Sequence, residues 1–142
     1  MSSLTDALKK RLLDEWPEMV VFDPRKRATD NDILEFEKQH ESIPDDVKWF
    51  FKNLVSGGVD PYISDIHELA KDRAKFLKEK ADGLWELDNI FLLGVDGAGN
   101  PFGISRDDER VLLEDHDFGG IQEIGATFAD FLQSQLDEED DF

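Results

Sequence analysis

Chemistry in this chain would have to come from three histidines and a surplus of carboxylates, because the 142 residues include no cysteine. That absence removes disulfides, thiolate metal sites and a cysteine nucleophile together. His40, His67 and His116 form no H-E-x-x-H and no closely spaced pair, so a transition-metal site is not expected. His40 and His67 read as helix-surface or boundary residues. The stretch Asp115-His116-Asp117-Phe118-Gly119-Gly120 resembles the start of a calcium loop. Counting from Asp115, however, Gly119 and Ala126 fall where oxygen ligands are required, so a polar strand end with a glycine turn is the better account. Gly97-Ala98-Gly99 is half of a phosphate-binding fingerprint, but a strand is expected after it and no helix N-terminus is available for phosphate. There is no G-x-S-x-G elbow. Adjacent carboxylates such as Asp107 and Asp108 would need a pocket and a defined separation to act on a glycosidic bond. No cofactor, metal or catalytic residue is therefore assigned, and the chain is not expected to be an enzyme.

The carboxylates carry more information as a field than as ligands. Sixteen Lys and Arg face thirty-four Asp and Glu, a formal net charge of −18. Residues 1–80 hold fourteen basic and seventeen acidic residues, whereas residues 81–142 hold only Arg106 and Arg110 against seventeen acids. The second part thus has a net charge of −15. Such a field repels phosphate backbones and anionic lipids, which disfavours direct nucleic-acid or membrane binding. It suits a protein partner with a basic face, whose approach it would steer. The acids at 137–141 are expected to form a solvated tail, residues 137–142, outside a domain spanning 1–136. Removing them still leaves −10 in residues 81–136.

A chain of this length fits one domain, and eleven Phe with three Trp provide a core for it. Met1-Ser2-Ser3-Leu4-Thr5-Asp6 leads into charged residues with no apolar h-region, and no apolar run approaches the roughly eighteen residues that span a bilayer. A cytoplasmic protein is expected.

The elements that must position these carboxylates can be read from periodicity. Leu4, Leu8 and Leu12 predict a first helix over about residues 4–15, stopped by Pro17. Met19-Val20-Val21-Phe22 reads as an edge strand, with a turn at Asp23-Pro24. Thr29 or Asp30 caps a second helix with Ile33, Phe36, Glu37 and His40 along one stripe. After Ile43-Pro44-Asp45-Asp46, Val47, Phe50, Phe51 and Leu54 follow at i, i+3, i+4 and i+7, the clearest amphipathic helix in the chain, ended by Gly57-Gly58. Asp65 with Glu68 starts a fourth helix that presents Lys71, Lys75 and Lys78 outward and closes at Gly83. From residue 90 the period changes. Ile90-Phe91-Leu92-Leu93-Gly94-Val95 reads as a buried strand, Phe102 and Ile104 alternate on the return, and Val111-Leu112-Leu113 completes a three-stranded antiparallel meander at about 90–115. Gly119-Gly120 breaks it, and Phe128, Phe131, Leu132 and Leu136 mark a last helix.

The order of these motifs resembles the SUKH superfamily, the Smi/Knr-like family of fungal cell-wall-synthesis regulators and bacterial toxin-immunity proteins. The resemblance rests on Phe22-Asp23-Pro24, Ile33-Leu34-Glu35-Phe36-Glu37 and the helix Ile43-Pro44-Asp45-Asp46-Val47-Lys48-Trp49-Phe50-Phe51 leading to Gly57-Gly58. It continues through Gly94-Val95-Asp96-Gly97-Ala98-Gly99-Asn100, Asp115-His116-Asp117 and Thr127-Phe128-Ala129-Asp130-Phe131-Leu132. Ile43 and Val47 stand where the family usually has Leu and an aromatic residue. The resemblance implies a single α+β domain, an antiparallel sheet packed with about five helices. It implies work by protein–protein binding: in bacteria holding a toxin, often a nuclease, inactive in the producing cell, and in fungi regulatory scaffolding. It brings no catalytic residues.

The leading expectation is therefore an immunity protein that neutralises a toxin domain with a basic face. A cytosolic regulatory scaffold on the same fold is the alternative, and a small hydrolase using carboxylates is the third. Charge and turn position select Asp96, Asn100, Asp107, Asp108, Glu109, Glu114, Asp115 and Asp117 as the partner-binding residues.

Overall fold

In the computed structural model the described residues are 4–20, 24–55, 61–117 and 119–140. Helix α1, Asp6–Met19, starts where the Thr5 hydroxyl accepts the Leu8 N–H and runs through Pro17. The expectation that Pro17 would stop the helix is corrected. Proline removes one hydrogen bond near the C-terminal end, and the buried Trp16 holds that turn in place by donating its Nε1–H to the Val55 carbonyl at 2.8 Å. Met19 is thus helical, and Val20 is the extended residue that closes α1. The rest of the expected edge strand, Val21-Phe22, lies outside the described residues.

A short 3₁₀ turn, Pro24–Lys26, precedes α2, Asp30–Gln39. Thr29 and Asp32 form a reciprocal capping box: the Thr29 N–H donates to the Asp32 carboxylate and the Asp32 N–H to the Thr29 hydroxyl. The bond from the Thr29 N–H holds the Asp32 carboxyl below its ordinary range. Helix α3, Asp45–Asn53, buries Val47, Phe50, Phe51 and, just past its end, Leu54. It stops before Gly57-Gly58, which lie outside the described residues. Asn53 donates its side-chain N–H to the Trp49 carbonyl, and Leu54 is extended. Helix α4, Ile66–Ala81, is capped by the Asp65 carboxylate, which accepts the His67 and Glu68 N–H groups. It buries Leu69 and Phe76 and leaves Lys71, Lys75 and Lys78 exposed.

The sheet has four antiparallel strands in sequence order: β1 Ile90–Val95, β2 Pro101–Ser105, β3 Val111–Glu114 and β4 Ile121–Gly125. The expected meander thus gains a fourth strand at the edge. β1 and β2 approach closely because Gly103 has no side chain; a Cβ there would collide with the Phe91 carbonyl oxygen. The Ser64 N–H donates to Leu93 O, which ties the start of the α4 segment to β1. Helix α5, Phe128–Asp140, packs against β4 and α1.

The expected tail is corrected at its start. α5 continues to Asp140, and Arg11 on α1 donates to both Glu15 at 2.7 Å and Asp137 at 3.0 Å. These two carboxylates raise the proton affinity of Arg11 further. One core unites the layers. Trp16, Phe50 and Phe128 stack edge-on from α1, α3 and α5, Phe36 of α2 meets Phe91 of β1, and Phe102 of β2 meets Phe131 of α5. This is a single α+β domain, with five α-helices and one antiparallel sheet among the described residues. No helix among them is long and apolar enough to cross a membrane.

Candidate functional site

A meander sends alternate turns to opposite ends of the sheet, and this divides the eight candidate residues into two groups. The β1–β2 and β3–β4 turns share one end and bring Asp96, Asn100, Glu114, Asp115 and Asp117 towards each other. The β2–β3 turn, with Asp107, Asp108 and Glu109, lies at the other.

At the first end the polar groups mostly serve the fold. The Asp96 carboxylate accepts the Ala98 and Asn100 N–H groups and the Asn100 side-chain amide. Asn100 is buried, and its Oδ1 accepts the His116 N–H at 2.9 Å, which staples the two turns together. The His116 Nδ1 also lies against Asn100 Oδ1. The His116 ring packs edge-on against Trp85, with Nε2 3.2 Å from Asp117. Asp115 accepts the Asp117 N–H. Glu114 is buried as well, one carboxylate oxygen accepting the Glu86 and Leu87 N–H groups at 2.7 and 2.8 Å. Asn100 and Glu114 are therefore corrected from surface contacts to internal supports, because backbone donors of distant segments point at them. Asp117 remains exposed, and Asp96 and Asp115 are half-buried.

The other end is more open. Asp107, Asp108 and Glu109 are all exposed. Asp107 accepts the Asn89 side-chain amide, and Asp108 pairs with Arg110 at 2.7 Å. That hydrogen bond holds the Asp108 carboxyl below its ordinary range, and the Arg110 guanidinium is raised in turn. Beside this turn lies a cleft of about 300 Å³ between three segments: residues 42–46 before and at the start of α3, Ile104, Ser105, Arg106 and Glu109, and Thr127-Phe128 at the start of α5. Ile43, Ile104 and Phe128 supply an apolar lining, while Asp45, Asp46 and Glu109 supply carboxylates.

The cleft is held in shape by residues that sequence reasoning missed. Glu41, after α2, accepts Arg73 of α4 at 2.7 Å through one oxygen and Arg106 of the β2–β3 turn at 2.6 Å through the other. Arg106 also donates to the Ser42 carbonyl and lies over the Phe91 ring. One signal was available: Arg106 is one of only two basic residues in the acidic second part of the chain. A half-buried carboxylate shared by two guanidiniums is worth more than a surface pair. Glu41→Gln is expected to lower the unfolding free energy by about 1–2 kcal/mol. Urea unfolding checks this, with the midpoint falling and the slope unchanged.

Among the described residues no group of three or more His, Asp and Glu is placed to hold a metal ion. No curated protein and no solved structure matches the chain significantly. A family model does. It aligns with residues 27–134, from just before α2 into α5, and so takes in both ends of the sheet and the cleft. With well over half of the 142 residues matched in this way, the chain belongs to the SMI1/KNR4 family (SUKH-1).

Proposed function

We propose that this protein is an immunity-type binding protein, which holds a toxin domain with a basic face inactive and contacts it at the cleft end of the sheet. The observation that carries the reading is the exposed acidic turn Asp107-Asp108-Glu109 beside an open cleft that bears further carboxylates from α3. Family membership supports work by protein binding. The charge of −15 in residues 81–142 supports a partner of opposite sign. Asp96, Asp115 and Asp117 form a second acidic patch at the far end, where their hydrogen bonds to the turns leave them less to offer a partner. The protein would act from the cytoplasm, where a producing cell needs its toxin silenced.

Affinity capture from the native cell, at low and high salt, tests this. The expected result is a partner with a basic surface whose association rate falls about tenfold or more between roughly 0.05 and 0.5 M salt. Its activity should be lost in the complex. A captured partner whose activity survives would instead support the regulatory scaffold. Binding that ignores salt would defeat the electrostatic reading.

A further inference from the structure

The geometry points to a specific use of the cleft: it receives the side chain of one lysine or arginine of the protein partner. The inference rests on the reading above and names the group that is recognised. The lining has the two-part chemistry of such a side chain. Ile43, Ile104 and Phe128 are almost fully buried and form an apolar wall for a methylene stem. Asp45 of α3 and Glu109 of the β2–β3 turn both line the cleft, are exposed, and have no side-chain partner among the described residues. They are placed to meet a cationic head.

Two features favour a cation over an anion. Arg106 is the only cation in the lining among the described residues, and its guanidinium is already committed to Glu41, to Ser42 and to the face of Phe91. Of the helix N-termini that open on the cleft, that of α5 is capped by the Thr127 hydroxyl, which accepts the Asp130 N–H, while that of α3 has no side-chain cap but begins with Asp45 and Asp46, whose charges offset its dipole and repel an anion. Helix electrostatics account for Asp45 and Asp46, but not for Glu109. Glu109 adopts a φ of 66°, a left-handed conformation that glycine or asparagine occupies at less cost. A glutamate there brings a carboxylate to the cleft lining despite the local preference. The volume of about 300 Å³ is ample for one long side chain and too small for a folded element.

The test uses the full chain, labelled with ¹⁵N, and N-acetyl-arginine amide as the probe, with the lysine and norleucine amides beside it. The expected result is a saturable shift of the amides at 43, 45, 46, 104–109 and 127–128 in the millimolar range for both cationic probes. The norleucine amide should give none. Glu109→Gln and Asp45→Asn should each weaken the arginine probe by about threefold to tenfold, and Asp14→Asn on the exposed face of α1 should not. Shifts spread over every acidic segment, or unchanged binding in both cleft variants, would overturn the inference. So would inorganic phosphate moving the same amides while the cationic probes do not. The two readings fail separately. Capture of a basic partner that is indifferent to Glu109→Gln overturns the cleft alone, whereas localised probe binding without any basic partner overturns the immunity reading alone.

Discussion

Replacing Phe50 with alanine is expected to lower the unfolding free energy by about 3–5 kcal/mol, the largest effect of any single substitution considered for this domain. Phe50 is fully buried and is the ring at which three helices meet. It lies 5.4 Å from Trp16 of α1, 6.2 Å from Phe51 and 6.0 Å from Phe128 of α5, each edge-on. Truncation removes the transfer free energy of the ring and leaves a cavity that neither Trp16 nor Phe128 can fill, because each is fixed elsewhere. Trp16 is held by its bond to Val55 O, and Phe128 stands at the first turn of α5 beside the cleft. Since domains of this size are stable by only about 5–15 kcal/mol, the variant would sit near the folding threshold. Urea unfolding of Phe50→Ala beside Phe50→Leu measures it, the leucine costing about 1.5 kcal/mol or less. A loss below about 1 kcal/mol for the alanine would show that α1, α3 and α5 do not share one core.

Phe50 was legible in the sequence because local spacing suffices to find it: four apolar residues at helical intervals identify a buried stripe wherever the helix docks. The same logic found α2, α4 and β1. It failed where tertiary contacts outweigh local signals. Pro17 marks a helix end by every local rule, yet the Trp16 anchor, thirty-nine residues from Val55 in sequence, carries α1 past it. Strand β4 has only two apolar residues, since as an edge strand it leaves Ile121, Gln122 and Glu123 exposed, so no alternation revealed it. The acidic end looked like a tail because nothing local shows that Asp137 faces Arg11.

The site was legible in one respect and hidden in another. Turn chemistry placed Asp96 and residues 107–109 correctly in hairpin turns, and the meander then put them at opposite ends. The cleft could not be read, because it is assembled from three segments distant in sequence, 42–46, 104–109 and 127–128, and because the network that shapes it joins Glu41 to Arg73 and Arg106. Charge counting also treats every carboxylate as a surface group. Whether a particular one faces solvent or a distant backbone N–H depends on where another segment passes.

Glu114 is the case in which that distinction has the largest consequence. Glu114→Ala is expected to cost about 2–4 kcal/mol, because it strands the Glu86 and Leu87 N–H groups, the latter buried, without an acceptor. Glu114→Gln should cost about 1 kcal/mol or less. Both N–H groups bond to the same carboxylate oxygen, and an amide oxygen at that position can accept both, losing only the assistance of the charge. Thermal or urea unfolding of the pair therefore separates a hydrogen-bonding role from an electrostatic one, and equal losses in the two variants would refute it. The same pair tests the surface. Glu114→Gln removes one negative charge from the acidic part of the chain without touching its exposed face, whereas Glu109→Gln removes one at the rim of the cleft. If association with a basic partner follows exposed charge at the cleft end, the Glu109 variant slows it and the Glu114 variant leaves it nearly unchanged at equal net charge. Equal slowing would mean that the overall field steers the partner and that no particular face is selected.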